Sequence, residues 1–383
     1  MSEWKRIPFN QVASFSYGKM PKKDLLGKGE FQTYSGYKYL DKYPEYNCDA
    51  DDLIVVARGV GGSGDVKLVN RKCYLTNLSI KFDLDQKVIF TPYLYYYFQW
   101  NNLRYLDSGS AQSQITINDL SKVELTLPPL PEQKAIASVL SSLDDKIDLL
   151  HRQNKTLEAM AETLFRQWFI EEAKEDWEEC RLGDLIEIKG GFSYKGEFIG
   201  YGDSLLLGMG CVSFDNRFLS TGARQYAGTC SERFYAQPGD IVIATRQQSD
   251  NLPILGFPAM IPDDYKGKNV IVGTNLYSLK NHSDLSNRLI FQIFRSKDYR
   301  IHIIASAKGS TVRMITKDAI EDFCFSMPDV ETINKLELHL DSLVSKLNEN
   351  FKQIQTLENL RDTLLPKLMS GEVRVQYQTE EVA

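Results

Sequence analysis

Hydrophobic side chains recur in two segments of the chain with alternating steps of four and three residues. In the first segment they stand at positions 136, 140, 143, 147, 150, 157, 161, 164 and 168, and the polar Asn154 falls in the same frame. In the second segment the frame contains Leu336, Leu340, Leu343, Leu347, Asn350, Ile354, Leu357, Arg361, Leu364 and Leu368. A period of 3.5 residues sustained over several heptads is typical of a coiled-coil seam. Both segments follow prolines, so we predict two long helices.

The chain also repeats itself. Shifting it by 200 residues aligns 109–164 with 309–364 without a gap, including Gly109-Ser110 with Gly309-Ser310 and Pro128 with Pro328. The earlier parts match more loosely, because their loops differ in length. A period this long indicates a duplicated domain rather than a solenoid.

The duplication suggests how the two helices pair. Two equivalent helices related by a pseudo-two-fold axis run antiparallel, and placing Asn154 opposite Asn350 sets Leu150 opposite Ile354 and Leu140 opposite Leu364. In that register only Arg361 lacks a matching partner, because it faces the apolar Leu143. A buried Asn pair lowers stability but fixes register, so Asn154 and Asn350 are candidate register residues. The alternative is that each helix is buried independently in its own core.

We therefore predict a mixed α+β (α/β) protein with two globular domains and two long helices in an antiparallel coiled coil. The predicted segments are a first globular domain at 1–130, a central helix at 131–172, a second globular domain at 173–327, and a distal helix with the C-terminal tail at 328–383. Short apolar runs such as 53–57 and 241–244 indicate strands within the globular domains.

Composition narrows the class of protein. The formal charge is −6. The two helical segments are acidic while the globular segments are nearly neutral, so the overall charge does not exclude a local basic groove. The six cysteines are far apart and form no CxxC, which favours reduced thiols. No apolar run could span a bilayer, and the N-terminus lacks the apolar core of a signal peptide. We expect a cytoplasmic protein without a membrane partner.

The sequence offers little catalytic chemistry. Residues 59–64 formally match GxGxxG, but a strand-like stretch follows where a dinucleotide site needs a helix, which favours a hairpin loop. Glu187-Ile188-Lys189 resembles the end of a nuclease metal motif without its upstream acidic partner, so strand alternation explains it better. Methyltransferase, hydrolase and zinc-protease motifs are absent from the sequence. We expect no catalytic residue, metal or cofactor in this chain.

Polar loops in matched places are the remaining candidates for function. They lie at 58–67, 109–114, 246–251 and 308–313. Arg, Gln, Asn and Ser recognise base edges in the DNA major groove, and Lys and Ser bind phosphates. Solvated turns are the alternative, and the two Thr-Asn-Leu asparagines could equally cap buried turns. The candidate DNA contacts are Arg58, Lys67, Asn77, Ser110, Gln112, Gln114, Arg246, Gln247, Gln248, Asn275, Lys308, Ser310 and Arg313.

The sequence closely resembles the specificity (S) subunit of type I restriction-modification systems over nearly its whole length. The stretch from Leu127 to Ala137 (LPPLPEQKAIA) looks like that family's central conserved region, and the stretch from Leu364 to Val373 looks like its distal one. Trp4 and Trp177 look like the starts of the two target-recognition domains. The distal helix departs from the pattern by opening with MPDVETI from Met327, which implies an altered partner contact there.

The resemblance implies a non-catalytic DNA-recognition subunit. Each globular domain would recognise one half of a split double-stranded DNA target, and the helical pair would set the spacer. Two modification (methyltransferase) subunits would dock on the helices and methylate adenine. Restriction subunits, which act as translocase and nuclease, would join them. S-adenosylmethionine, ATP and Mg²⁺ would belong to those partners.

Two other functions remain open from the sequence. One is a protein-interaction scaffold with duplicated binding modules, and the other is the specificity portion of a fused restriction-modification enzyme. Sequence-specific, salt-sensitive DNA binding would distinguish the main hypothesis from the scaffold. A base contact by Arg246 predicts that Arg246→Ala loses about 1–3 kcal/mol of discrimination at one half-site.

Overall fold

The chain forms two compact units, each with a globular part and portions of both heptad segments. The computed structural model describes residues 4–59, 63–107, 114–214, 217–247, 254–309 and 312–376. The first unit comprises Met1–Ile147 and Gln355–Ala383, and the second comprises Asp148–Ile354. The boundaries between the two units fall inside the heptad segments, so they do not correspond to the four predicted sequence segments. That four-segment division stays a prediction.

The first unit mixes strands and helices. Its strands are β1 (Lys5–Pro8), β2 (Ala13–Tyr17), β3 (Phe31–Ser35), β4 (Lys38–Tyr43), β5 (Leu53–Val56), β6 (Val66–Leu68), β7 (Cys73–Leu75), β8 (Ser79–Leu84) and β9 (Glu124–Leu127). Its helices are α1 (Thr91–Trp100), α2 (Ile117–Leu120) and the first part of α3 (Leu130–Arg166), with 3-10 turns at Phe9–Gln11, Lys23–Leu25 and Leu103–Leu106.

The central strand of the first unit is buried on both faces. β5 lies inside the antiparallel sheet β2-β8-β5-β6, and a second sheet has the order β4-β3-β7. Leu53 and Val55 join the core formed with α1, whereas Ile54 packs in a smaller cluster with Cys73 and Leu75 of β7. A strand between two layers needs apolar residues at every position, which explains the uninterrupted run at 53–57.

The second unit contains a similar set of elements. Its strands are β10 (Glu179–Arg181), β11 (Ile186–Gly190), β12 (Ile199–Leu207), β13 (Ala223–Tyr226), β14 (Tyr235–Ala236), β15 (Ile241–Ala244), β16 (Arg246–Gln247), β17 (Pro258–Met260), β18 (Asn269–Val272), β19 (Leu276–Asn281), β20 (Arg313–Met314) and β21 (Cys324–Ser326). Its helices are α4 (Asn287–Arg295), α5 (Lys297–Ser306), α6 (Lys317–Glu321) and part of α7 (Val330–Ser370). A π-helical turn at Gln167–Glu171 follows α3, and 3-10 turns lie at Leu182–Asp184, Gly196–Phe198, Met209–Cys211, Ser220–Gly222, Glu232–Phe234 and Asp263–Tyr265.

The sheets of the second unit repeat those of the first. The sheet β11-β19-β15-β17 has the strand order of β2-β8-β5-β6, and the pair β10-β21 corresponds to β1-β9. β12 runs parallel to β18 as β3 runs parallel to β7. The predicted duplication of a mixed α/β fold is therefore confirmed. The second unit differs by an added edge strand, β14, and by a two-stranded ribbon, β16-β20.

The two long helices begin at polar anchors supplied by their own sequences. Gln133, which is buried, donates to the carbonyl oxygens of Val88 and Pro128 at 2.9 Å and accepts from the amide of Phe90. At α7, Asp329 instead accepts from the amide of Thr332 at 2.8 Å, as an N-terminal capping residue does. The departure of the distal segment from the LPPLPEQ pattern thus replaces a buried glutamine anchor by an aspartate cap.

Within each unit, the portions of α3 and α7 pair antiparallel. In the second unit, Asn350 Nδ2 donates to Asn154 Oδ1 at 2.8 Å, and Trp168 contacts His339 with 5.1 Å between ring centroids. In the first unit, Arg361 Nη1 lies 2.9 Å from Asp144 Oδ1, and Glu132 pairs with Arg374 beyond α7. In both units, the contact that comes later along α3 and the turn after it involves the residue that comes earlier in α7 and its tail. The predicted antiparallel coiled coil is confirmed.

The structure also shows the partner of Arg361, which the sequence had left without one. Arg361 is partnered by Asp144, which stands one residue outside the predicted seam and also accepts from the hydroxyl of Tyr96. Both asparagines are buried, as a register pair requires, and their contribution to register selection stays a prediction. In the described parts of the chain, every helix is too short or too polar to cross a membrane.

Candidate nucleic-acid interface

In the first unit, two of the predicted polar loops are joined at their ends. Arg58 follows β5 and forms an antiparallel bridge with Gln114, and the amide of Ile115 donates to the carbonyl of Ala57 at 2.9 Å. The amide of Gln114 also donates to Asp107 Oδ1 at 2.9 Å, which closes the base of the 109–114 loop. The Arg58 side chain is exposed and Gln114 is half-buried. The two loops therefore share one base, the Arg58–Gln114 pairing, which we call the first recognition frame.

In the second unit, the matching loops form the ribbon β16-β20. Arg246 pairs with Met314 and Gln247 with Arg313, and Lys308 bridges to Met314 on the adjoining stretch. The side chains of Arg246, Lys308 and Arg313 are exposed. Arg246 and Lys308 both pair with Met314, so their side chains lie on one face of the pairing, and Arg313 lies on the other face. Exposed cations of this kind attract a polyanion and donate hydrogen bonds to bases and phosphates.

The repeated Thr-Asn-Leu turns lie directly beside these frames. Leu78 accepts from the amide of Ala57 at 2.8 Å, and Asn275 accepts from the amide of Thr245 at 3.1 Å. Asn77 and Asn275 are both half-buried. Both contacts are made by backbone atoms. The turns therefore support the loops independently of the asparagine side chains.

The remaining candidates have different surroundings. Lys67 lies on β6, with its ammonium 3.8 Å from the ring centroid of Tyr37, and partial burial lowers its pKa while nearby Asp65 opposes that shift. Other predicted contacts lie outside the described residues, namely Ser110, Gln112, Gln248, Ser310 and the side chain of Gln247.

Sequence reasoning missed a cluster beside the first frame. Asp65 accepts from Arg104 Nε at 2.8 Å and Nη2 at 3.1 Å, and also from the Tyr37 hydroxyl. The Arg104 guanidinium holds the pKa of Asp65 below its usual range, and burial together with Asp65 raises the pKa of Tyr37 to about 12. The three residues are distant along the chain, and the sequence contained no signal that joins them.

The two sequence motifs that partly match nucleotide-binding and metal-binding patterns have structural roles. β5 and β6, on either side of the glycine-rich 59–64 loop, pair antiparallel, so this loop belongs to a hairpin as predicted. Glu187 and Lys189 lie on β11, where they form an ion pair at 3.4 Å. Among the described residues, no group of His, Cys, Asp or Glu is arranged to hold a metal ion.

Comparisons with known proteins identify the family. The family model for the type I restriction modification DNA specificity domain matches residues 1–159 and 174–359. The MjaIX specificity subunit of Methanocaldococcus jannaschii is 25% identical over 334 residues, covering 79% of this chain and 73% of that protein. The HindI specificity subunit of Haemophilus influenzae is 40% identical over 58 residues, 15% of this chain and 13% of that protein.

A solved structure shows the same fold. The type I restriction-modification S subunit from M. genitalium has a TM-score of 0.62 and 18% identity, with 95% of this chain and 96% of that chain covered.

The duplicated fold and the family match together define a DNA-recognition protein with two target-recognition units. The chain belongs to the type I restriction-modification DNA specificity family. Its function is DNA sequence recognition within such a system, a role that is itself non-catalytic.

Proposed function

We propose that the two units recognise the two different halves of a split double-stranded DNA target. The observation that carries this proposal is the repeated loop frame. Arg58 meets Gln114 in one unit, and Arg246–Gln247 meets Arg313–Met314 in the other. The frames occupy the same place in the fold but present different side chains. Two such sites in one chain suit a target with two non-identical halves.

The side-chain chemistry assigns roles within each frame. Arg58 and Arg246 are suited to bidentate contacts with guanine, and the glutamines to contacts with adenine. Lysine and serine side chains and the second ribbon arginine are suited to phosphates. The full proposed set comprises Arg58, Lys67, Asn77, Ser110, Gln112 and Gln114 in the first unit, and Arg246, Gln247, Gln248, Asn275, Lys308, Ser310 and Arg313 in the second.

The helical pair serves as the spacer and as the docking site for partners. A stiff antiparallel pair holds two recognition sites at a fixed separation, which specifies the number of unread base pairs between half-sites. Two modification subunits bind the helices and methylate adenine, and translocase-nuclease restriction subunits complete the complex. S-adenosylmethionine, ATP and Mg²⁺ belong to those subunits. The complex works in the cytoplasm.

The two matched arginines give a direct test. The chain is combined with its modification subunits, and bound sequences are selected from a random duplex library. The unaltered complex should select one bipartite motif. Arg58→Ala should degrade one half of the motif and Arg246→Ala the other, because each arginine belongs to a different recognition frame. Degradation of the same half by both variants, or of neither half, would contradict the proposal.

A further inference from the structure

The carboxylate of Asp65 joins three elements of the first unit that are far apart in sequence. Asp65 itself stands at the end of the β5–β6 hairpin loop. It accepts from Nε and Nη2 of Arg104, at 2.8 and 3.1 Å, and Arg104 lies in the 3-10 turn Leu103–Leu106. The hydroxyl of Tyr37, in the turn between β3 and β4, donates to the same carboxylate. One side chain therefore holds two turns and a hairpin together.

This junction joins residues at the ends of the two loops of the first recognition frame. The loop that starts at Arg58 returns to the fold at Asp65. The loop that ends at Gln114 begins just after Asp107, three residues beyond Arg104. The Arg58–Gln114 bridge joins one end of each loop, and the Asp65–Arg104 pair joins the other ends.

Backbone packing shows that the junction is closely fitted. Gly64 has a φ of +95°, and a Cβ atom there would lie 2.6 Å from the backbone nitrogen of Arg104. The amide of Gly64 donates to the carbonyl of Val56 at 2.9 Å. Gln99 of α1 donates to the carbonyl of Val66 at 3.0 Å. The hairpin is thus seated against the Arg104 turn, and Asp65 supplies the charged contact between them.

The second recognition frame belongs to the other unit. Its loop stems pair as the ribbon β16-β20, through Arg246 with Met314 and Gln247 with Arg313. Asp65 and its partners lie in the first unit, so a change at Asp65 acts on the first frame. The half-site that depends on Arg246 therefore serves as an internal control.

We propose that Asp65 is a positioning residue for DNA specificity, which fixes the two loops of the first frame relative to each other and so determines which base pairs that frame accepts. The inference rests on the proposed function. Arg104 is the main partner through which Asp65 acts, and Tyr37 supports the same carboxylate. A base pair is accepted only when several side chains meet its edge at once, so a loosened frame tolerates more sequences.

The test uses the complete complex of this chain with its modification subunits and a random duplex library. Asp65→Asn should lower discrimination in the half-site that depends on Arg58 by about tenfold, the size of one lost base contact. The half-site that depends on Arg246 should be unchanged. Arg104→Gln should broaden the same half-site, and the double variant should be no worse than either single one, because both remove one interaction.

A matched control separates positioning from folding. Asp322→Asn breaks another exposed Arg–Asp pair, in which Arg181 Nη2 lies 2.6 Å from Asp322 Oδ1 at the β10-β21 end of the second unit. It should leave both half-sites unchanged. Tyr37→Phe removes only a hydroxyl and remains informative if Asp65→Asn does not fold. It should broaden the Arg58-dependent half-site, to a smaller extent than Arg104→Gln.

The outcomes distinguish this inference from the proposed function. If Arg58→Ala broadens one half-site while Arg104→Gln and Tyr37→Phe leave it intact, the positioning role is wrong and the split-target function stands. Equal broadening of both half-sites by Asp65→Asn would also overturn the positioning role. If the unaltered complex selects no bipartite motif, the proposed function itself fails.

Discussion

Substitution of Lys308 tests whether its side chain binds phosphate or recognises a base in the second unit. Its side chain is exposed beside the β16-β20 ribbon, while its backbone pairs with Met314. Lys308→Ala should weaken binding to all DNA sequences about equally, and the slope of log K against log salt should fall by about one, because one phosphate contact releases about one counterion. Titrations of labelled duplexes at several salt concentrations measure both quantities.

Lys280 provides the control for that prediction. It is exposed on β19 of the same unit, where it pairs with Glu187. Leu276, at the other end of β19, pairs with Ala244 just before the ribbon, so Lys280 lies at the end of the strand away from the ribbon. Lys280→Ala should leave the salt dependence unchanged. If Lys308→Ala alters sequence preference while keeping the slope, its side chain contacts bases instead.

Single residues were predictable where the duplication repeated them. Arg58 and Arg246 stand at equivalent places after β5 and β15, and the structure brings each to a joined pair of loops. The link between Asp65 and Arg104 could not be predicted, because it depends on how a hairpin packs against a distant turn. Neither residue formed part of a repeated pattern.

Among the helices, the buried seam should contribute most of the stability of the paired region. Leu347 of α7 is fully buried in the second unit. Leu347→Ala removes buried methyl groups and leaves a cavity, so it should lower the free energy of unfolding by about 2–5 kcal/mol. Chemical denaturation of the full chain, followed by circular dichroism, measures the change.

Leu338 is the matched control on the same helix. Its side chain is 71% exposed. Leu338→Ala should change the unfolding free energy by no more than about 0.5 kcal/mol. Similar losses from both variants would show that the 3.5-residue seam does not identify the buried face.

The helices were predictable because their signal is local, whereas strand pairing was not. The heptad period indicates directly which helix face is buried, and the matching polar positions Asn154 and Asn350 suggested one register. The partner of Arg361 lies outside that pattern, at Asp144, so the seam alone could not reveal it. The β16-β20 ribbon pairs residues far apart in sequence, and neither strand has an alternating apolar pattern that would indicate it.

For the whole molecule, the paired helices should determine the distance between the half-sites. A seven-residue heptad inserted between Ile147 and Leu150 of α3, together with one between Ile354 and Leu357 of α7, keeps the seam in register. The insertion adds about 10 Å of helix. We expect the spacer to lengthen by about three base pairs, at about 3.4 Å each, with both half-site sequences retained.

Motif selection with the lengthened protein measures the spacer directly. A chain lengthened in α3 alone is the control, because it puts the two seams out of register and should impair assembly. Altered half-sites with an unchanged spacer would show that the helices do not act as a ruler.

The most direct measurement is the methylome of a host that expresses this chain with its modification subunit, by single-molecule sequencing. Recognition of a split target by this chain predicts one bipartite motif with adenine methylated in each half, and its loss when this chain is omitted. No new methylation from a complex shown to be assembled, or a motif that persists without this chain, would contradict its role as the determinant of DNA specificity.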